Sequence, residues 1–303
     1  MKKLAAIMQE KTTVSFEVFP PKTEKGMAKL PDTLEHLYQF HPEYISCTYG
    51  AGGNNVGRNL EVVQMIREAD QNTVPVTHLT CIGQTKDSIR AQLQAYLDNG
   101  VEHVLALRGD IPFGWDGTNS AFRYATDLVS FIRREFGDKF EIAVSGSPEG
   151  HVECTSLASD IAHLKQKQDE GADYIITQLT YDMEQFKRWY DAIRKAGVTM
   201  PVDVGIMPVL KKEPVINQCL SRNACAIPRK LAEIFSHHWF DTDPEGNELP
   251  EVRAAFREEG MQYTVEQILE FISLGVNGIH LYAMNKWQDV TEILNRAGIR
   301  TVL

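Results

Sequence analysis

Thr85-Lys86-Asp87-Ser88-Ile89-Arg90-Ala91-Gln92-Leu93-Gln94-Ala95-Tyr96-Leu97-Asp98-Asn99-Gly100, continuing into Val101-Glu102-His103-Val104-Leu105-Ala106-Leu107, holds one complete unit of the fold. Thr85 can cap a helix whose apolar positions Ile89, Leu93, Tyr96 and Leu97 recur at helical spacing. Gly100 can adopt the left-handed conformation that closes such a helix. His103–Leu107 then reads as a strand. It lacks clean alternation, which suits a strand covered on both faces.

The unit recurs outward in both directions. Strand candidates are Val14–Phe19, Tyr44–Tyr49, Val76–Cys81, His103–Leu107, Glu141–Ser145, Tyr174–Leu179, Val202–Met207 and Gly278–Tyr282. Leu157, Ile161 and Leu164 keep helical spacing between them, as do Phe186, Trp189, Tyr190 and Ile193. Thr264-Val265-Glu266-Gln267 has the form of a capping box. Gly137, Gly171, Gly197 and Gly275 stand, like Gly100, where helices should end. Eight strand–helix units predict a parallel α/β fold closed as a single (β/α)8 TIM barrel, one catalytic domain over residues 1–303. A doubly wound sheet ranks second, since no GxGxxG follows the first strand. Asp241–Glu251 reads as a long loop before the last helix–strand unit.

The 303 residues include 31 Lys and Arg against 41 Asp and Glu, a net charge of −10. That balance argues against a nucleic-acid footprint, which needs clustered cations. No stretch approaches the roughly 20 apolar residues of a membrane helix. The apolar run in Met1–Met8 is too short for a signal peptide, so a cytoplasmic location is expected. Five cysteines, none in CxxC spacing, read as reduced thiols rather than a disulfide framework, a zinc site or an iron–sulfur centre.

In a barrel the chemistry sits at the C-terminal ends of the strands, and the unusual residues fall there. Glu17 interrupts an apolar strand before Phe19-Pro20-Pro21. Burial would raise its pKa toward what a general acid needs; the structural alternative is an ion pair with Lys22 or Lys11. Strand two ends in Thr48-Tyr49-Gly50-Ala51-Gly52-Gly53, where glycines permit close backbone approach to a ligand. His78 and Thr80 lie on strand three. Arg108-Gly109-Asp110 follows strand four, either as an ion pair or as a guanidinium for phosphate and a carboxylate for a ring N–H. Gly146-Ser147-Pro148-Glu149-Gly150-His151-Val152-Glu153 follows strand five and offers polar groups to a ligand. Asp160, His163 and Lys167 share one helix face, as a solvated face or a binding one. No two-histidine, one-carboxylate metal spacing occurs, and no metal is expected. Gln178 ends strand six; Tyr282-Ala283-Met284-Asn285-Lys286 ends strand eight.

Phe16-Glu17-Val18-Phe19-Pro20-Pro21-Lys22, Thr48-Tyr49-Gly50, His78-Leu79-Thr80-Cys81, Leu107-Arg108-Gly109-Asp110, Pro148-Glu149-Gly150-His151, Thr177-Gln178 and Gly205-Ile206-Met207-Pro208 occur in this order. Together they resemble the methylenetetrahydrofolate reductases of the bacterial, catalytic-domain-only type, over about Val14 to Ile293. The resemblance implies a flavin, FAD with FMN left open, across the strand ends. It implies NADH or NADPH as electron donor and a ping-pong reduction of methylenetetrahydrofolate to 5-methyltetrahydrofolate, a step serving methionine biosynthesis. Glu17 matches the general acid, and Asp110 the carboxylate near flavin and pterin. Gln178, Tyr282 and Lys286 match substrate contacts; Thr48, His78, Arg108, Gly109, Asp110, His151, Asp160 and Lys167 match flavin contacts. Ser147, Val152, Gln166 and Thr180 depart from common family residues. Lys211-Lys212 replace an aromatic and are expected to meet the glutamate tail of the folate. A homo-oligomer is expected. A flavin-free reductase, or a subunit needing a separate electron-delivering partner, are the alternatives.

Overall fold

The computed structural model describes residues 2–49, 56–111, 114, 120–221, 225–238, 243 and 248–299. Gly50 to Gly53 of the motifs above lie outside them. The strands are β1 (Thr13–Val18), β2 (Tyr44–Cys47), β3 (Val74–Thr80), β4 (His103–Leu107), β5 (Glu141–Gly146), β6 (Tyr174–Thr177), β7 (Val202–Ile206) and β8 (Gly278–Tyr282). They pair in parallel and in sequence order, and β8 returns to β1 to close the barrel. The fold expected from sequence is therefore the one formed. β2, β6 and β7 are buried at every residue, which is why their sequences show no alternation.

The helices are α1 (Leu4–Glu10), α2 (Glu24–Met27), α3 (Leu30–Tyr38), α4 (Val56–Ala69), α5 (Lys86–Asp98), α6 (Ala125–Phe136), α7 (Leu157–Asp169), α8 (Met183–Lys195), α9 (Lys212–Cys219), α10 (Arg229–His238), α11 (Pro250–Ser273) and α12 (Trp287–Arg296). Thr85 caps α5 by accepting from the Ser88 amide. Gly100, Gly137, Gly171, Gly197 and Gly275 all have positive φ at helix ends. The outward strand residues, among them Phe16, Ile45, Leu79 and Val204, pack with the helices in the main core. The lower barrel interior is filled by Tyr44, Val74, Val76, Leu105, Ala143, Tyr174 and Ile176. Leu4 and Met8 of α1 close it from below.

Two readings need correction. Thr264 does not open a helix but sits inside α11, which begins fourteen residues earlier with Pro250 in its first turn. Its hydroxyl donates to the Gly260 carbonyl and accepts from the Val209 amide. Gln267 donates to the Thr180 carbonyl at 2.7 Å instead of reaching back to a cap. The capping-box residues thus make tertiary bonds, while Ala254, Ala255 and the charged residues upstream sustain the helix. Gly260 lies within α11 because a Cβ there would stand 2.0 Å from the Val209 oxygen. The loop placed at Asp241–Glu251 also ends earlier, since Pro250 and Glu251 are helical; of its other residues only Asp243, Glu248 and Leu249 are described.

Candidate active site at the open end of the barrel

Glu17 points into the barrel from β1, opposite Ser46 of β2 and Tyr282 of β8. Its side chain retains 19% exposure, toward the C-terminal end of the strands. Glu17 Oε2 lies 3.4 Å from His78 Nε2 and 3.8 Å from His280 Nε2. Neither lysine considered from sequence serves it: Lys11 ion-pairs with Glu43 on the far side, and Lys22 is exposed. The expected rise in its pKa is corrected as well. Burial does push the Glu17 carboxyl up, but the nearby imidazoles of His280 and His78 hold it below the ordinary carboxylate value. Burial in turn pushes the His78 imidazole below its usual value. Nε2 of His78 is buried without a hydrogen-bond partner among the described residues.

Tyr282 stands beside Glu17, and its hydroxyl donates to the Thr177 carbonyl at 3.1 Å, next to Gln178. Gly205 makes this possible, since a Cβ there would meet the Thr177 oxygen at 2.3 Å and the Tyr282 hydroxyl at 2.4 Å. The Gln178 Oε1 accepts from the Leu179 amide. Asn285, at a positive φ, exchanges two hydrogen bonds with the Phe19 backbone and ties the β8 loop to the β1 loop. Its neighbour Lys286 is exposed at the start of α12. Glu149 joins Thr180, at 2.7 Å, to the Ala226 amide, at 2.6 Å, along the opposite wall.

A second group of polar residues follows β4 and β5. Arg108 ion-pairs bidentately with Glu153, not with Asp110. Asp110 is exposed at the rim within the field of Arg108. Gly109 takes φ +89°, and a Cβ there would meet Thr80 at 3.0 Å, so the strand can be followed closely only by glycine. The His151 ring accepts from the Glu153 amide at 3.2 Å. Lys167 donates to the Ser145 carbonyl at 2.9 Å; burial pushes its ammonium down while Asp160 and Cys154 oppose that. The face carrying Asp160 and Lys167 is therefore turned inward, while His163 is exposed. Thr48 is partly covered, and Asn59 donates to its carbonyl. Cys154, Asp160 and His163 bring one ligand atom each within 4.8 Å of one another. The neighbouring Lys167 cation works against a metal there.

Sequence reasoning missed two residues of the Glu17 cluster, His280 and Asp203. Each lies within a strand scored for its apolar content. Counting inward alternation from Glu17, through its register partner Tyr282, would have put His280 on the same face. Of the two lysines expected at an anionic tail, Lys212 is bound to Glu248 at 2.7 Å and lies over Phe256, while Lys211 is exposed.

Residues 2–298 match the family model described as methylenetetrahydrofolate reductase. The chain is 35% identical over 300 residues to methylenetetrahydrofolate reductase 1 of Schizosaccharomyces pombe, covering 96% of this chain and 47% of that one. It is 33% identical to methylenetetrahydrofolate reductase (NADH) 1 of Arabidopsis thaliana, covering 96% and 49%. The chain thus spans about half the length of these relatives. It is 31% identical to 5,10-methylenetetrahydrofolate reductase of Escherichia coli, covering 97% of this chain and 94% of that one. Among solved structures, a Clostridium thermocellum protein that binds two copies of 5-methyl-5,6,7,8-tetrahydrofolic acid superposes with a TM-score of 0.60. It shares 13% identity over 96% of each chain, a likeness of fold.

Proposed function

The chain belongs to the methylenetetrahydrofolate reductase family, and on that premise we propose that it reduces methylenetetrahydrofolate to 5-methyltetrahydrofolate with electrons from NADH or NADPH. The observation that carries this reading is Glu17, a carboxyl wedged between two imidazoles at the open end of the barrel. A bound flavin, FAD or FMN, would supply hydride acceptance and donation. The residues at β4, β5 and α7 fit such a group. Arg108 and Lys167 are cations for a diphosphate within an acidic chain. The Arg108–Glu153 pair is largely solvent-facing on the glutamate side, so its displacement costs about 1 kcal/mol or less. Gly109 permits close backbone approach.

Glu17, held as a carboxylate in the free site, takes up a proton with the substrate bound and gives it to N10 of the folate. This opens the five-membered ring to a 5-iminium cation, a far better hydride acceptor than the closed ring. A well-placed acid contributes about 10²–10⁴-fold. His78 and His280 flank the carboxyl at 3.4 and 3.8 Å. Tyr282 and Gln178 line the pocket beside it, and Asp110 at the rim accepts from N–H groups of the pterin. Lys211, exposed past β7, meets the anionic glutamate tail.

Absorbance of the purified protein, followed by anaerobic NADH titration, tests the reading. A yellow protein that bleaches with NADH and recolours with methylenetetrahydrofolate is expected. A yellow protein that NADH fails to bleach would require a separate electron-delivering partner. A colourless protein that binds no added flavin would overturn the cofactor assignment.

A further inference from the structure

Below Glu17 a chain of buried polar groups runs down the barrel axis. His280, fully buried on β8, stacks on Tyr44 with ring centroids 5.2 Å apart. Its Nδ1 lies 2.8 Å from Ser15 Oγ, and its Nε2 lies 3.2 Å from Ser46 Oγ and 3.8 Å from Glu17 Oε2. Ser15 Oγ also lies 2.9 Å from Asp203 Oδ2, and the Tyr44 hydroxyl donates to the same oxygen at 2.8 Å. Asp203 is fully buried on β7, and its Oδ1 has no partner among the described residues. Gly278 makes room for it, since a Cβ there would stand 2.7 Å from Oδ1. A carboxyl in that position, with no cation beside it except a protonated His280, is costly unless it does something.

The hydrogens in this chain can be assigned. Burial pushes the Asp203 carboxyl up, and any carboxyl proton sits on the partner-free Oδ1. Oδ2 then receives the Tyr44 hydroxyl and accepts from Ser15 at 2.9 Å, a closer acceptor for that hydroxyl than the Ile279 carbonyl at 3.3 Å. Ser15 has one hydrogen, so once it donates to Asp203 it must accept from His280 Nδ1. The neutral ring then carries its proton on Nδ1, and Nε2 is left as an acceptor facing Ser46 and Glu17. We propose that Asp203 is a positioning residue that, through Ser15, fixes the His280 proton on Nδ1 and turns a bare Nε2 toward Glu17. The role of the Glu17 proton rests on the reductase reading. A bare Nε2, 3.8 Å from Glu17 Oε2, donates nothing to the carboxyl, so the carboxyl can carry a proton for an amine nitrogen of a substrate. With the opposite tautomer, Nε2–H would donate to Glu17 and hold it as a carboxylate, unable to protonate anything. The titratable groups facing this pair are Tyr44 on β2, His78 on β3, Tyr174 on β6, Asp203 on β7 and Tyr282 on β8, with Cys47 within the field of Glu17.

The test needs no substrate. Long-range proton–nitrogen spectra of histidine-labelled protein report which ring nitrogen carries hydrogen, with His280 assigned by its loss in His280→Gln. Hydrogen on Nδ1 is expected in the wild type. Asp203→Leu releases Ser15 to donate to Nδ1, so the hydrogen should move to Nε2. A wild-type ring protonated on Nε2, or a Leu variant with an unchanged tautomer, would overturn the proposal. Should the Leu variant fail to fold, Ser15→Ala removes the link between Asp203 and Nδ1 and leaves Nδ1 without an acceptor. The hydrogen should likewise move to Nε2, which faces Ser46 and Glu17; an unchanged tautomer would also overturn the proposal. In the folate half-reaction the same variant should slow recolouring of the reduced protein while reduction by NADH stays within about twofold. A tautomer that responds as expected in a protein that never reduces folate would support the positioning role and remove the reductase reading.

Discussion

The barrel holds two carboxylate–imidazole groups, one at each end, and they are finished differently. At the closed end Glu141 accepts from the Leu4 amide at 2.7 Å and the Ala5 amide at 3.0 Å, and His103 Nε2, bonded to the Lys2 carbonyl at 2.8 Å, lies 3.1 Å from it. Its side chain is 1% exposed, and α1 lies over it with the dipole of its first turn aimed at the carboxylate. At the open end Glu17 has 19% exposure, imidazoles at 3.4 and 3.8 Å, and a neighbour, His78, whose Nε2 has no hydrogen bond among the described residues. Residue types are the same, a glutamate beside histidine. What separates the two is hydrogen-bonding capacity left unmet beside an opening. The first group holds the base of the barrel to its plug; the second has room for an atom of something else.

The largest expected effect comes from Glu17→Gln, which keeps shape and removes the transferable proton. Recolouring of reduced enzyme by methylenetetrahydrofolate should slow by about 10²–10⁴-fold, while bleaching by NADH stays within about twofold. Stability should hold or rise, because an amide costs less to bury than a carboxylate. Rapid-mixing absorbance of the two half-reactions decides it. Equal loss in both would make Glu17 as structural as Glu141 and erase the contrast.

Glu141→Ala is the converse. It strands two amides and an imidazole at the base, a class of change that costs about 3 kcal/mol. Urea denaturation should show that loss, and the protein still folded should turn over at the wild-type rate. A fall in turnover without a fall in stability would mean that the closed end also carries chemistry.

The barrel was legible from sequence because the strands lie between helices, and the helices before β4 to β8 end at glycines with positive φ, as at Gly100, Gly171 and Gly275. Glu17 was legible because a carboxylate stands out in an apolar strand. His280 and Asp203 were not, because a histidine or aspartate among Val, Ile and Leu reveals its role only through the register that sets β8 and β7 beside β1. The base was hidden for another reason: Leu4 and Met8 resemble any short apolar run until the barrel exists for them to close. Thr264 misled because a hydroxyl three residues before an amide side chain fits a helix start and a tertiary bond equally well.

The smallest effect separates the two groups by pH. Burial keeps the folded His78 imidazole below its unfolded value of about 6.5, so the unfolded chain takes up its proton first. Its contribution to stability is complete above about pH 6.5 and declines as pH falls from there toward the folded value, by at most about 1.4 kcal/mol per pH unit. Glu141 is also held below its unfolded value, by His103 and the two amides, but its contribution declines only in the carboxylate range, below about pH 4.5. The open end should therefore begin to lose stability at a pH where the closed end is untouched. Urea midpoints of wild type and His78→Gln between pH 7.5 and 5 check this: the wild type should slope downward through that window, and the variant should be flatter. Parallel curves would mean that His78 is as readily protonated folded as unfolded. The open end would then be more solvated than its geometry requires.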